Sequence, residues 1–382
     1  MLYFDHCAST PPYEEVVQTM IEVMKSVYAN PSSLHRAGIQ ADQLIERSRS
    51  VLAERLQTGS GNWIFTSGGT ESNNMAIKGI ARQYAGRGKH LITTQIEHAS
   101  VYEAFKQLED EGYRVTYLPV GETGHVNVEQ LEAALTAETI LVSVMHVNNE
   151  IGTIQPIERI GRLLKRFPTI MFHVDAVQSM GKQPIKLLES GIDLLTGSAH
   201  KLGGPRGVGF LYIREGVTLY PLLNGGTQEN GYRAGTQNVP AIVASAKALR
   251  MSMERMEQRE RRISELKRQL IQHINGMPEL KLNGAEPSAS HIIHFSYPGM
   301  KPEVVIHMLE QHGIMASTKS ACSSKDDKPS RVLLALGASR EHAAGGIRIS
   351  LGEEHTVQDI NALAAALADI VRQLKPLERR LT

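Results

Sequence analysis

The chain has 382 residues, 41% hydrophobic and 21% charged, which excludes disordered, collagen-like and disulfide-scaffold classes. Lys and Arg number 41 against 40 Asp and Glu, and a net charge of +1 gives no electrostatic footprint for direct nucleic-acid or acidic-membrane binding. No apolar stretch approaches the roughly 18 residues of a membrane span, no secretory signal is recognised at the start, and only Cys7 and Cys322 carry thiols, so a soluble cytoplasmic protein is expected.

Helical spacing of apolar residues opens the chain, over 14–28 and again over 39–56. Short apolar runs at 63–65, 90–94, 115–118, 140–147, 169–174, 192–196 and 208–213 then read as buried strands. Helix candidates at 72–84, 100–111, 128–135 and 157–167 lie between most of them, the alternation of a mainly parallel sheet covered on both faces. After Pro240 the alternation stops, and one long helix is expected over 241–275, ending at Gly276 and Pro278. The remainder reads as strand 292–296, helix 303–312, strand 314–317, a polar loop, helix 330–336, strand 347–351 and helix 357–374. This predicts a large domain over 15–250 and a small α+β domain built from 1–14 and 251–382. Seven basic and four acidic residues between 250 and 268 read as a solvated helix face.

Several predicted strand ends carry polar side chains that chemistry can use. Ser198-Ala199-His200-Lys201 follows one strand and precedes a glycine-rich turn, where a partly desolvated lysine suits a Schiff base; alone, the segment reads more readily as a surface lysine before a turn. Asp175 ends the strand before it, 201 − 175 = 26 residues upstream, so the two can converge. A lysine and a carboxylate are the pair that pyridoxal phosphate requires, for covalent attachment and for its ring nitrogen. Phe65 to Ser72 supplies a strand, a glycine turn and a helix start that favour an anion, with hydroxyls from Thr70 and Ser72, although an ordinary capped helix fits equally. His98 and the amide run Asn148-Asn149 follow two further strands.

Together these residues resemble cysteine desulfurases of the NifS/IscS kind, within the class V aminotransferases. The resemblance runs from Tyr3 to about Leu374 and rests on eight segments in order, among them 65–73, 96–98, 147–152, 173–179, 198–209, 233–238, 320–322 and 347–352. It implies a fold-type I pyridoxal phosphate-dependent α/β transferase that takes sulfur from L-cysteine, leaves L-alanine and carries the sulfur as a persulfide on Cys322. It further implies that Lys201 holds the cofactor covalently, Asp175 its ring nitrogen and Gln178 its ring oxygen, with His98 stacked on the ring. Gly69, Thr70, Ser198 and His200 would bind the phosphate, with Thr236 reaching in from the second subunit of a homodimer. Arg348 would take the substrate carboxylate, helped by Asn149; no metal is expected.

Cys322 lies in a polar, proline-containing stretch that reads as a mobile surface loop, where Lys319 and Lys325 flank the thiol. The loop's length matches the long-loop group, whose members hand sulfur to proteins. Three departures from the family pattern stand out: Ala199 in a glycine position, Lys319 in place of a small residue, and Thr227 in another glycine position. Cys7 reads as a packed or incidental thiol. The short segment after residue 374 and the charged loop point to specialised delivery, to a tRNA-modifying sulfurtransferase in preference to an iron–sulfur scaffold. A selenocysteine lyase or another class V aminotransferase is the enzymatic alternative. A fold-retaining scaffold without catalysis is disfavoured by Lys201 and Asp175.

Overall fold

The computed structural model describes residues 1–318 and 328–378, so Cys322, Lys319, Lys325, Asp326 and Asp327 lie outside the described residues. The chain begins with β1 (Leu2–Tyr3), α1 (Glu14–Ser26), α2 (Arg36–Arg55), β2 (Asn62–Thr66) and α3 (Gly69–Gln83). It continues through β3 (His90–Thr94), α4 (Ala99–Asp110), β4 (Arg114–Leu118), α5 (Val128–Ala134), β5 (Thr139–Met145) and α6 (Ile157–Leu164). Next come β6 (Met171–Asp175), β7 (Leu194–Ser198), a 3-10 turn (Ala199–Lys201) and β8 (Gly209–Ile213).

These strands form one seven-stranded sheet in the order β2-β8-β7-β6-β5-β3-β4, parallel except for β8, which runs against both its neighbours. Period-two alternation divides its side chains between two cores. Phe65, Phe172, Phe210 and Tyr212 face one hydrophobic cluster, whereas Ile64, Met171, Leu211 and Ile213 face the other. Helices α1, α2, α5 and α6 pack in the first and α3 and α4 in the second, so both faces are covered as expected. Connections leave β3 toward β4 on one side and β5 toward β6 on the other. The carboxyl ends of β3 and β5 therefore flank a topological switch, the place where open α/β sheets bind ligands.

The expected single helix over 241–275 is two helices, α7 (Val239–Glu254) and α8 (Met256–Asn275), that meet at Arg255. Burial explains the break. Apolar residues of α7 such as Ile242 and Leu249 belong to the first sheet core, whereas Ile263, Leu266, Leu270 and Ile274 of α8 belong to a separate cluster. That cluster also takes Phe4 and side chains from β10 (Ile292–Ser296), α9 (Pro302–Gln311), β12 (Gly346–Ser350) and α12 (Val357–Glu378), the last with its side chains described through residue 376. Strand β9 (Lys281–Leu282) completes an antiparallel sheet in the order β12-β10-β9, and β11 (Ile314–Met315) pairs with β1. The expected strand over 314–317 is thus only two residues long. Helices α10 (Arg331–Ala335) and α11 (Arg340–Ala344) return Val332, Leu333 and Ala343 to the first core, and α11 was not expected.

Candidate active site

A cavity of about 280 Å³ opens where the carboxyl ends of β5, β6 and β7 meet the start of α3 and the middle of β12. Lys201, Asp175, His98, Gln178, Asn149, Ser198, His200, Gly69, Thr70 and Arg348 all line it. Thr236 does not line the cavity of its own chain and is exposed.

Asp175 ends β6 and is 5% exposed, so both carboxylate oxygens must find donors inside the protein. The Asn73 amide donates to Oδ2 at 2.8 Å and the Val177 N–H to Oδ1 at 2.9 Å. Asn73 also donates to Ser100 Oγ at 2.9 Å, and Ser100 Oγ lies 2.8 Å from His98 Nδ1. Since His98 Nδ1 also accepts the Ser100 N–H at 3.2 Å, the neutral ring carries its proton on Nε2. Burial pushes the His98 pKa below its ordinary value, with Asp175 opposing and Lys201 adding to the shift. Asn73 and Ser100 were missed from sequence, although Asn73 lies one helical turn beyond Gly69 on the same face of α3.

Helix α3 has no side-chain cap at Gly68, which leaves first-turn N–H groups of Gly69 and Thr70 pointing beyond the helix. A Cβ at Gly69 would stand 2.8 Å from Val177 Cγ2, so only glycine lets this turn approach the end of β6. Burial would raise the Glu71 carboxyl, yet Arg233 Nε at 2.8 Å and the Ser67 hydroxyl and N–H hold it below its ordinary range. Ser72 does not supply a hydroxyl here: its Oγ is buried against Thr66 Oγ1 at 2.7 Å. Burial pushes His200 down to about 4, with Lys201 and Arg206 contributing.

Residues 5–10 form a strap across the site. Lys201 Nζ donates to the Ala8 carbonyl at 2.7 Å and to the Cys7 carbonyl, which also accepts Gln178 Nε2 at 3.1 Å. Cys7 therefore serves the site through its backbone, while its side chain packs with Val147, Ala289 and Ile292, as expected of a packed thiol. Asp5 Oδ1 accepts Arg348 Nη2 at 3.0 Å, and the Asn149 carbonyl accepts Nη1 at 2.8 Å. Arg348 is 1% exposed, and its Nε and the Asn149 Oδ1 have no hydrogen-bond partner among the described residues. At the strap's edge His6 Nε2 meets Glu354 Oε1 at 2.6 Å, and His355 Nδ1 accepts the Gly352 N–H at 2.8 Å.

The family profile described as Aminotransferase class-V matches residues 2–363. The chain belongs to the class V aminotransferases. Among curated relatives, cysteine desulfurase IscS of Dictyoglomus turgidum is 42% identical over 380 residues, covering 98% of this chain and 96% of the relative. IscS of Methanosarcina thermophila is 41% identical over 375 residues, covering 98% and 93%. A solved NifS-like protein superposes with a TM-score of 0.92 at 36% identity, covering 98% of this chain and all of that one. A structure of SspA in complex with cysteine gives 0.81 at 35%, covering 92% and 99%. This class V aminotransferase is thus a pyridoxal 5'-phosphate-dependent enzyme of the IscS/NifS cysteine desulfurase kind. The cavity fits that cofactor: an amine on Lys201, an oriented carboxylate on Asp175, unsatisfied helix N–H groups, and a buried arginine edge and amide oxygen awaiting partners. Among the described residues no helix is long and apolar enough to cross a membrane.

Proposed function

We propose that the enzyme takes sulfur from L-cysteine, leaves L-alanine, and carries the sulfur on Cys322 as a persulfide for delivery to an acceptor protein. The meeting of Lys201, Asp175, His98 and Arg348 around one cavity is the observation that supports this most. Pyridoxal phosphate, when bound, supplies a ring that draws electrons from the carbon bearing the substrate amine. Lys201 anchors it, and Asp175, its two oxygens already oriented by Asn73 and Val177, holds a proton on the ring nitrogen. Gln178 Nε2 keeps a second N–H for the ring oxygen beside the bond to Cys7. Gly69, Thr70, Ser198 and His200 receive the phosphate, joined by Thr236 of a second subunit in a homodimer.

Arg348 presents its unpartnered Nε–H edge to the substrate carboxylate, and Asn149 Oδ1 can accept a hydrogen bond from a donor group of the substrate. His98, kept neutral by burial, moves protons through Nε2. The Cys322 thiolate attacks the substrate sulfur: an S–S bond forms as the carbon–sulfur bond breaks, and the electron pair of that bond passes to the carbon side.

The acceptor reading rests on the charge pattern that Lys319, Lys325, Asp326, Asp327 and Lys328 give the sequence around Cys322. Rim charge tunes partner choice and association rate. A tRNA-modifying sulfurtransferase in the cytoplasm is the acceptor we favour. The test loads Cys322 with radioactive sulfur and offers a 4-thiouridine-forming sulfurtransferase and an iron–sulfur scaffold together. Earlier labelling of the sulfurtransferase is expected; earlier labelling of the scaffold would reassign the acceptor and leave the desulfurase chemistry intact.

A further inference from the structure

Lys201 also lines a second cavity, of about 530 Å³, bounded by the strap, α8 and the segment after β12. That volume lies within the range typical of small-molecule pockets, roughly 300–1,000 Å³. Leu202, Ile263 and Leu351 supply apolar wall. Most charged groups around it have partners: Arg259 and Arg255 reach Glu353 at 2.8 and 3.5 Å, Glu354 meets His6, and the Glu260 carboxylate accepts hydrogen bonds from the neutral Ser290 Oγ at 2.6 Å and Gln183 Nε2 at 3.3 Å. Lys182 is the exception. Its Nζ is shielded from solvent and has neither hydrogen-bond partner nor ion pair among the described residues. His291, 3% exposed, leaves its Nε2 equally unpartnered in the same wall.

A buried ammonium without a counter-ion is costly, and a carboxylate is the group that would both neutralise it and accept an imidazole N–H. Burial lowers Lys182 to about 8, which still leaves it mostly protonated at neutral pH. We propose that this second cavity binds a small organic carboxylate, its anionic end held by Lys182 Nζ and His291 Nε2 and its carbon chain against Leu202, Ile263 and Leu351. The site is separate from Arg348, which lines the first cavity only. Lys201, common to both walls, lets an occupant of the second cavity act on the environment of the first.

Butyrate is a suitable probe, with 1-butanol as its neutral counterpart, titrated calorimetrically into the holoenzyme and its Lys182→Met and Lys182→Arg variants. Saturable butyrate binding is expected, at least about 10-fold weaker in Lys182→Met and largely retained in Lys182→Arg, with butanol binding no better than to Lys182→Met. Equal butyrate affinity in wild type and Lys182→Met, or equal binding of butanol and butyrate, would overturn the proposal. Crystals of the wild-type holoenzyme soaked in butyrate decide it whichever variants fold. Density beside Lys182 upholds the site, and density only beside Arg348, or none, rejects it.

Discussion

Asn73 and Asp175 meet in a 2.8 Å hydrogen bond across 102 residues of sequence, and the same amide nitrogen reaches Ser100 at 2.9 Å. The carboxylate is thus aimed before any cofactor arrives. Replacing Asn73 with leucine leaves buried acceptors on Asp175 and Ser100 without their donor, a cost of about 1–3 kcal/mol. Cofactor affinity should fall about 10-fold or more, read by absorbance as pyridoxal phosphate is titrated into apoprotein. Unchanged affinity would mean that Asp175 needs no such orientation.

Lys201 is held by the strap carbonyls within the wall of the first cavity. Lys201→Ala should abolish turnover and covalent cofactor retention after borohydride treatment. Mass spectrometry of the wild type should place the reduced pyridoxyl group on Lys201, and its appearance on another lysine would sink the assignment.

Much of this site is legible in the sequence because parallel strands announce themselves as apolar runs, and the polar residue that ends each run must emerge at one sheet edge. Asp175 and Ser198 follow that logic, and His98 lies in the short turn between the end of β3 and the start of α4. The strap was not legible, since Cys7 and Ala8 act through backbone carbonyls that carry no side-chain signature. Lys182 was missed for a related reason: its isolation is a property of the packing around it. The break at Arg255 was hidden because both helices keep good helical composition, and only the change of core between Leu249 and Ile263 separates them.

Glu97 gives a pH signature. Burial raises its carboxyl from an ordinary 4.5 to about 8, while the Met145 N–H and Thr94 hydroxyl on Oε1 oppose the shift and Oε2 has no partner among the described residues. Between these values the folded state binds a proton that the unfolded state has released, so this group's contribution to stability falls as pH rises from about 4.5 to 8. Glu97→Gln removes the titration and keeps the shape. Urea midpoints should show the variant gaining on wild type steadily between pH 5 and pH 8; a constant difference would contradict the raised carboxyl.

The two thiols should separate cleanly. Cys322→Ser should retain the cofactor and lose sulfur release. Cys7→Ser places a hydroxyl among Val147, Ala289 and Ile292, which costs about 1–3 kcal/mol of stability and lowers the melting temperature while turnover persists. Wild-type alanine production by Cys322→Ser would remove that thiol from the chemistry, and loss of activity in a folded Cys7→Ser protein would show that Cys7 acts through its sulfur.

Thr236 tests the dimer. It is exposed and absent from its own chain's cavity, while neighbouring Gly235 has φ +113°, a conformation that favours glycine and lets the backbone turn sharply beside it. If Thr236 completes the phosphate site of a second subunit, Lys201→Ala and Thr236→Ala chains should complement each other. A mixed dimer then holds one site with both lesions and one with neither. Activity should rise above that of either parent after subunit exchange, up to about half the wild-type value per mixed dimer. Each mixed dimer would instead have two singly damaged sites if Thr236 served its own chain, so verified exchange without recovery would rule out the shared site.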